Sequence, residues 1–100
     1  MQGLTEGRVV HYVLSEGRNE GQHRSAIVVR NWSNSDIPGS DGMVNLMVFT
    51  DGYNDGLETV FSSEQDKTIT MRCIDLVVWR TSVHYSETKE PGTWHWIEAA

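Results

Sequence analysis

Four histidines are the side chains best suited to chemistry in this chain, because imidazole serves both as a metal ligand and as a general base. They are His11, His23, His84 and His95. No two stand at a spacing typical of metal ligands, and the sequence has no Cys-x-x-Cys pair. His95 approaches His11 only if the last strand pairs with the first. The spacing therefore predicts surface or hydrogen-bonded histidines, with no metal site and no cofactor.

Cysteine, serine and the acidic residues form no catalytic pattern. Cys73 is the single cysteine and lies in an apolar, strand-like run, where burial would keep its thiol protonated and inert. No Gly-x-Ser-x-Gly elbow is present. Asp51, Asp55 and Glu58 flank two glycines, but their spacing does not match a calcium loop and favours a solvated turn. These features predict a protein that is not an enzyme.

The aromatic side chains carry more information. Trp94 and Trp96 share one face of a short final strand and His95 lies on the other, because side chains alternate across a strand. With Trp79 and Tyr12 they fit a surface on which planar bases stack, at roughly 1–3 kcal/mol per base. They equally fit the core of a small barrel, where large aromatics act as filler. The sequence leaves both interpretations open.

Short alternating runs between turn residues predict that strands position these groups. No segment shows helical periodicity over three turns. The pattern predicts an all-β fold with one domain over residues 1–100, built of five or six short antiparallel strands. We expect a small, partly open β-barrel of the SH3-like type, because it limits exposed edges. Residues 57–73 are predicted to form an enlarged loop, or a hairpin turning at Gln65-Asp66. The clearest predicted strands are Val9 to Leu14, Arg24 to Trp32, Met43 to Thr50, Ile74 to Trp79 and Thr93 to Ile97.

The charge balance limits the partners. Eight basic and fourteen acidic side chains give a formal charge of −6, which argues against long nucleic acids, since these are held by phosphate neutralisation. A small anionic ligand remains compatible, because it needs only one or two arginines and backbone donors. No apolar run approaches the roughly 18 residues of a membrane span. A lone cysteine fits a reducing cytoplasm.

Segments across most of the chain together resemble a family of small proteins common in tailed bacteriophages, with relatives in actinobacterial genomes. The closing Gly-Thr-Trp-His-Trp is the most specific piece. The chain departs from the family pattern at Ser25, where a proline or small apolar residue is expected, and at Ile97, where proline is usual. The resemblance to the family does not extend to residues 57–73. The matching segments are His11 to Leu14, Arg24 to Arg30, Val44 to Phe49, Asp51-Gly52, Asn54-Asp55, Ser82 to Tyr85 and Pro91 to Trp96.

Part of this family looks similar to phage anti-defence sponges. Such proteins bind the cyclic oligonucleotide signals of bacterial immunity (CBASS signalling) and keep them from the host effector. The resemblance implies an anti-CBASS protein in the cytoplasm of the infected bacterial host that sequesters a cyclic di- or trinucleotide. We expect a homo-oligomer, because a domain of this size has little concave volume and pockets commonly lie between subunits.

The side chains assigned to this ligand are aromatic, cationic or amide groups on the matching segments. Under this interpretation Tyr12, Trp94 and Trp96 stack on bases, Arg24 and His95 contact phosphate, and Asn45 reads a base edge. A rival from a different class is a phage structural or host-takeover protein that binds another protein through an exposed strand edge or aromatic patch. A nuclease that cleaves the signal is the third alternative.

Overall fold

The fold is known from a computed structural model that describes residues 1–33, 35–62 and 70–98. These residues form seven strands and a single 3₁₀ turn, Gly52–Asn54. No α-helix occurs in the described ranges, so the all-β prediction is confirmed, and none of their segments is a helix able to cross a membrane. The strands are β1 (Val9–Val13), β2 (His23–Asn31), β3 (Val44–Phe49), β4 (Glu58–Ser62), β5 (Thr70–Ile74), β6 (Val77–Val83) and β7 (Trp94–His95).

Five of the strands form one antiparallel sheet in the order β6-β3-β2-β1-β7. The strands β4 and β5 pair with each other as a separate antiparallel ribbon. The turn predicted at Gln65-Asp66 lies outside the described residues. Tyr12 is central to the register, because it faces Arg24 on β2 and Trp94 on β7. The last strand therefore pairs with the first.

The predicted continuous strand Ile74 to Trp79 is wrong. The chain leaves β5 and begins β6 only at Val77, with Asp75 between the two strands. The N–H of Asp75 donates to the Leu57 carbonyl (2.9 Å), and its own carbonyl accepts a bond from Thr50 Oγ1 (2.5 Å). These bonds take the chain out of the ribbon and into the main sheet. Their partners, the Leu57 carbonyl and the Thr50 hydroxyl, are distant in sequence, so an apolar side-chain run does not reveal them.

The sheet is not a closed barrel, but its two ends are linked. β6 ends near Ser82, which has a left-handed backbone (φ 55°) and redirects the chain. The following segment then bonds to β7: the Trp94 N–H donates to the His84 carbonyl (3.0 Å) and the Ser86 N–H donates to the Trp94 carbonyl (3.0 Å). The short strand β7 is thereby held on both sides.

The core lies on the inner face of the sheet, with Trp94 at its centre. The Trp94 ring is fully buried, and its indole Nε1–H donates to the Gly42 carbonyl (2.7 Å). Gly42 has φ +77°, and a Cβ there would lie 3.1 Å from the end of Met1 and 3.3 Å from Tyr85. The close approach that Trp94 requires is thus available to glycine. The other buried apolar residues of the five-stranded sheet are Val10, Tyr12, Val13, Ala26, Val28, Val44, Leu46, Val48, Val78 and Val83.

We predict that Trp94→Ala lowers the free energy of unfolding by about 3–5 kcal/mol, because it opens a cavity in the core. Trp94→Phe should cost less, since it keeps much of the packing while leaving the Gly42 carbonyl without its donor. Urea denaturation measures both. Tyr53→Ala is the control, since this aromatic side chain is 76% exposed and surface changes cost within about 0.5 kcal/mol. Equal stability of Trp94→Ala and wild type would contradict the core assignment.

Candidate functional site

Three histidines meet on the outer face of the sheet, opposite the core. His11 on β1 and His95 on β7 are directly paired residues of the ladder. His23, at the start of β2, lies two residues before the partner of His11. One nitrogen from each of the three rings lies within 4.8 Å of the others. We call this group the histidine cluster.

The histidine cluster is partly closed to water. His95 is only 3% exposed, His11 is half-buried and His23 is exposed. Both ring nitrogens of His95 and Nδ1 of His11 are buried without a hydrogen-bond partner among the described residues. A buried polar atom left unpaired costs about 1–3 kcal/mol, so such atoms are rare in proteins. Three of them at one place mark an arrangement that stability alone does not favour.

A carboxylate and an ammonium group border the cluster. Glu98 Oε1 lies 3.0 Å from His95 Nε2, out of hydrogen-bonding alignment, and 3.7 Å from His23 Nδ1. The same oxygen lies 2.7 Å from Lys89 Nζ. Burial, and then the neighbouring His23, lower the pKa of His95, against the opposing pull of Glu98. At neutral pH this imidazole is therefore neutral, with a lone pair on one nitrogen.

The sheet divides the residues predicted to bind a ligand. Tyr12, Arg24 and Trp94 are neighbours, but they point to the inner side, where Tyr12 and Trp94 are buried in the core. Trp96 is half-buried against the same core, meets Trp94 edge to face at 5.0 Å and has the Arg8 guanidinium 5.4 Å from its ring centroid. Of the predicted set, His95 alone lies on the outer face beside other chemically active groups.

Arg24 is occupied by a buried carboxylate. Its Nε and Nη2 donate to the two oxygens of Asp55 at 2.9 and 2.5 Å, in a bidentate pair. Asp55 is fully buried and also accepts from Asn19 Nδ2 (3.1 Å) and from the Asp51 N–H (2.6 Å). The Arg24 hydrogen bonds are the largest influence holding the Asp55 pKa well below its usual range. Arg24 therefore stabilises the fold instead of presenting its charge to a phosphate.

Asn45 is likewise occupied. Its Oδ1 accepts from Trp32 Nε1 (3.0 Å), Thr81 Oγ1 (2.9 Å) and the Ser82 N–H (3.0 Å). Asn45 is buried where the β3–β6 register shifts at the end of β6. Its amide oxygen holds the bend at Ser82, so the acceptor predicted to read a base edge is already used within the fold.

A second feature of the outer face is a broad apolar surface. Its members lie on four neighbouring strands, and the register places Trp79, Met47, Ile27 and Val9 in one row across them. Trp79 is 58% exposed, and the others except Ile27 are 39–44% exposed. We call this the apolar face. It comprises Val9, Ile27, Val29, Met47, Phe49, Val77 and Trp79.

A cleft of about 230 Å³ lies near β4 and β6 and is lined by Glu16, Glu58, Asp75 and Arg80 among others. It contains none of the residues predicted to bind a ligand. Three carboxylates against one arginine disfavour an anionic ligand, and Arg80 already contacts Glu16 at 2.5 Å. Known ligand pockets span about 300–1,000 Å³, so this cleft is small for a cyclic dinucleotide.

Sequence reasoning missed three site features. The histidine cluster was missed because His95 lies on a strand far from His11 and His23 in sequence, and the pairing of first and last strands was the signal that could have found it. Asp55 was predicted to be solvated but is buried, because Arg24 reaches it. Cys73 was predicted to be buried but is exposed on the β4–β5 ribbon.

Comparisons of the chain with protein-family models, curated proteins and solved structures found no match. Function is therefore inferred from the outer face itself.

We predict that Asp55→Asn lowers the free energy of unfolding by about 3–5 kcal/mol at pH 7, because it leaves the Arg24 charge without its carboxylate. The folded pKa of Asp55 is lowered, so its contribution is present above the usual carboxyl pKa near 4 and is lost as pH falls below it. Wild type should therefore lose stability between about pH 5 and pH 2 more steeply than Asp55→Asn.

Denaturation at a series of pH values measures both effects. Asp41→Asn is the matched control, because this exposed carboxylate pairs with the amino group of Met1 at 2.9 Å, and exposed pairs are worth about 0–1 kcal/mol. Parallel pH profiles for wild type and Asp55→Asn would contradict the role assigned to the Arg24–Asp55 pair.

Proposed function

We propose that this chain is a non-enzymatic binding protein that acts through its apolar face, and that a second copy of the chain covers this face in the isolated protein. The observation that carries the proposal is the exposure of large apolar side chains on four adjacent strands. Contiguous apolar patches of this kind mark interaction surfaces in soluble proteins. This proposal corresponds to the alternative in the sequence analysis in which the chain binds another protein through an exposed aromatic patch.

The composition of the apolar face suits a protein surface better than a phosphate-bearing ligand. Its seven members carry no charge. The nearby arginines are engaged elsewhere: Arg30 stacks on Trp32 at 3.8 Å, and Arg80 pairs with Glu16. An uncharged centre of this kind is typical of the buried core of an interface, where charged residues are depleted.

The size of the apolar face fits one subunit's share of a small dimer interface. Six half-exposed side chains and the less exposed Ile27 supply roughly 500 Å² of apolar surface, within the range of the largest patches on monomers. A standard interface buries about 800 Å² per partner, which is about one eighth of this chain's 6566 Å². The apolar face would thus form the centre of the dimer interface, and the polar side chains around it would form the rim of that interface.

A second copy matches the shape of the surface. Two sheet faces pack about 10 Å apart with their side chains interdigitated, as in β-sandwiches. The opposing factor is the formal charge of −6 on each copy. Salt screens such repulsion beyond about 8 Å at physiological ionic strength, whereas it does not weaken apolar burial. Association should therefore become stronger as salt concentration rises.

Cyclic-nucleotide sequestration is the second candidate, and one observation favours it. Phe49 and Trp79 are exposed aromatic rings on adjacent strands, diagonal to each other in the register. Diagonal positions are about 7–8 Å apart, a separation that admits one planar base between two rings. The ligand proposed by the resemblance to anti-defence sponges would then lie on the apolar face instead of around Trp94.

We predict that the wild-type protein doubles its mass with increasing concentration in sedimentation velocity, and that the transition moves to lower concentration in high salt. Trp79→Glu should weaken dimerisation at least tenfold, because it places a charge at the centre of the apolar face. Ile37→Glu is the control: this side chain is 50% exposed and lies in the loop between β2 and β3. A monomer at all concentrations, or equal effects of the two variants, would overturn the proposal.

The same proteins test the second candidate. A thermal-shift panel of cyclic di- and trinucleotides should stabilise wild type by about 2.7 kcal/mol at 100 times the dissociation constant. The Trp79→Glu variant should lose this shift, and Ile37→Glu should keep it. Stabilisation that survives Trp79→Glu would remove the apolar face as the nucleotide site.

A further inference from the structure

We propose that the histidine cluster binds one divalent transition-metal ion of the zinc class, with His11, His23 and His95 as nitrogen ligands and Glu98 as a fourth, oxygen ligand. This site is separate from the docking role proposed for the apolar face. It depends on neither the dimer nor a nucleotide. Three observations carry it: geometry, unpaired nitrogens and an adjacent carboxylate.

The geometry is close to that of a metal centre. In a tetrahedral zinc site each nitrogen lies about 2.0–2.1 Å from the ion, so two nitrogens are roughly 3.4 Å apart. The three histidine nitrogens already lie within 4.8 Å of one another. Contraction of the cluster by about an ångström at each ring, through side-chain rotation, brings them to bonding distance. The backbones of His11 and His95 need not move, because they are paired in the ladder.

The unpaired nitrogens supply the driving force. Both nitrogens of His95 and Nδ1 of His11 are buried without a partner among the described residues. In a metal complex each histidine donates the lone pair of one ring nitrogen to the ion, so that nitrogen no longer lacks a partner. His95 is 3% exposed, so its ligand atom is already removed from bulk water before the ion arrives. A structural histidine in the same position would ordinarily donate to or accept from a neighbour.

The charges near the cluster favour a cation. Glu98 adds a negative charge within 3.0 Å of His95 Nε2 and 3.7 Å of His23 Nδ1. In the structure Lys89 neutralises Glu98 at 2.7 Å. The Lys89 ammonium therefore competes with an incoming ion for the same carboxylate oxygen.

The donor set selects the class of ion. Three imidazoles and one carboxylate suit zinc, copper, nickel and cobalt, whereas calcium and magnesium prefer sets made of oxygens. His23 and Glu98 are both exposed on the solvent side, with side chains 35% and 48% accessible. An ion can therefore enter from the His23 side without unfolding the sheet. His11 on β1 and His95 on β7 are thus the fixed ligands, whereas the exposed side chains of His23 and Glu98 can adjust to the ion.

The test is isothermal titration of the untagged chain with Zn²⁺ after dialysis against a chelator. We expect one ion per chain. His23→Gln should weaken binding at least about a hundredfold, because loss of even an outer partner of a ligand costs 10–100-fold. His84→Gln is the matched control, since His84 is exposed and outside the cluster. Because His23 is also exposed, both variants should fold, which urea denaturation verifies.

Two more variants and a spectrum separate a metal centre from a merely structural cluster. Glu98→Gln should weaken Zn²⁺ binding, and Lys89→Met should strengthen it several-fold by removing the competing ammonium. Co²⁺ bound to the wild type should show the strong visible absorption of a tetrahedral complex, lost in His23→Gln. Absence of Zn²⁺ binding by wild type, or equal affinity of His23→Gln and His84→Gln, would overturn the proposal. Unchanged affinity in both Glu98→Gln and Lys89→Met would remove Glu98 from the ligand set.

Discussion

The fold depends on the pairing of Arg24 with the buried carboxylate of Asp55. A fully buried carboxylate is tolerated only when its charge and lone pairs are satisfied, and four donors do this here. The pair joins β2 to the turn after β3. The same turn accepts a backbone bond from Arg18 at 3.0 Å, so the loop after β1 is fixed as well. Through Leu57 and Asp75 the turn then sets where the β4–β5 ribbon leaves the main sheet.

Polar groups on the inner side of the sheet form hydrogen bonds within the fold, which explains why the two faces of the sheet differ. On the inner side Arg24 and the Trp94 indole each satisfy a structural partner. On the outer side the apolar face and the histidine cluster hold groups without such partners in the described part of the chain. Chemistry available to an external molecule is therefore concentrated on the outer side.

The sequence predicted those parts of the fold that are encoded locally. The β-branched runs of β1, β2 and β3 and the absence of helical periodicity led to the right fold class and to nearly the right strand ends. The break at Asp75 was not predicted, because its hydrogen-bond partners lie far along the chain. The aromatic pattern placed Trp94 and Trp96 correctly on one face, but a pattern of period two does not say which face is buried.

The candidate site was less predictable for the same physical reason. A ligand spacing rule detects histidines on one helix or one hairpin, where sequence distance and spatial distance agree. His11, His23 and His95 lie on three different strands, and two of them meet only through the β1–β7 pairing. The burial of Asp55 was not predicted either. Its partner Arg24 lies in a distant strand, and no local pattern distinguishes a buried aspartate from a solvated aspartate in a turn.

The β1–β7 pairing has a consequence for how the protein folds. It joins residues about 80 positions apart along the chain, and contacts of such sequence separation form slowly because a long loop must first be closed. β1 can pair with β2 early, through a short loop, whereas its other edge stays unpaired until β7 binds to it. His95 reaches His11 only when this last ladder forms. The histidine cluster is therefore a feature of the completed fold, absent from any partly folded state that lacks the final strand.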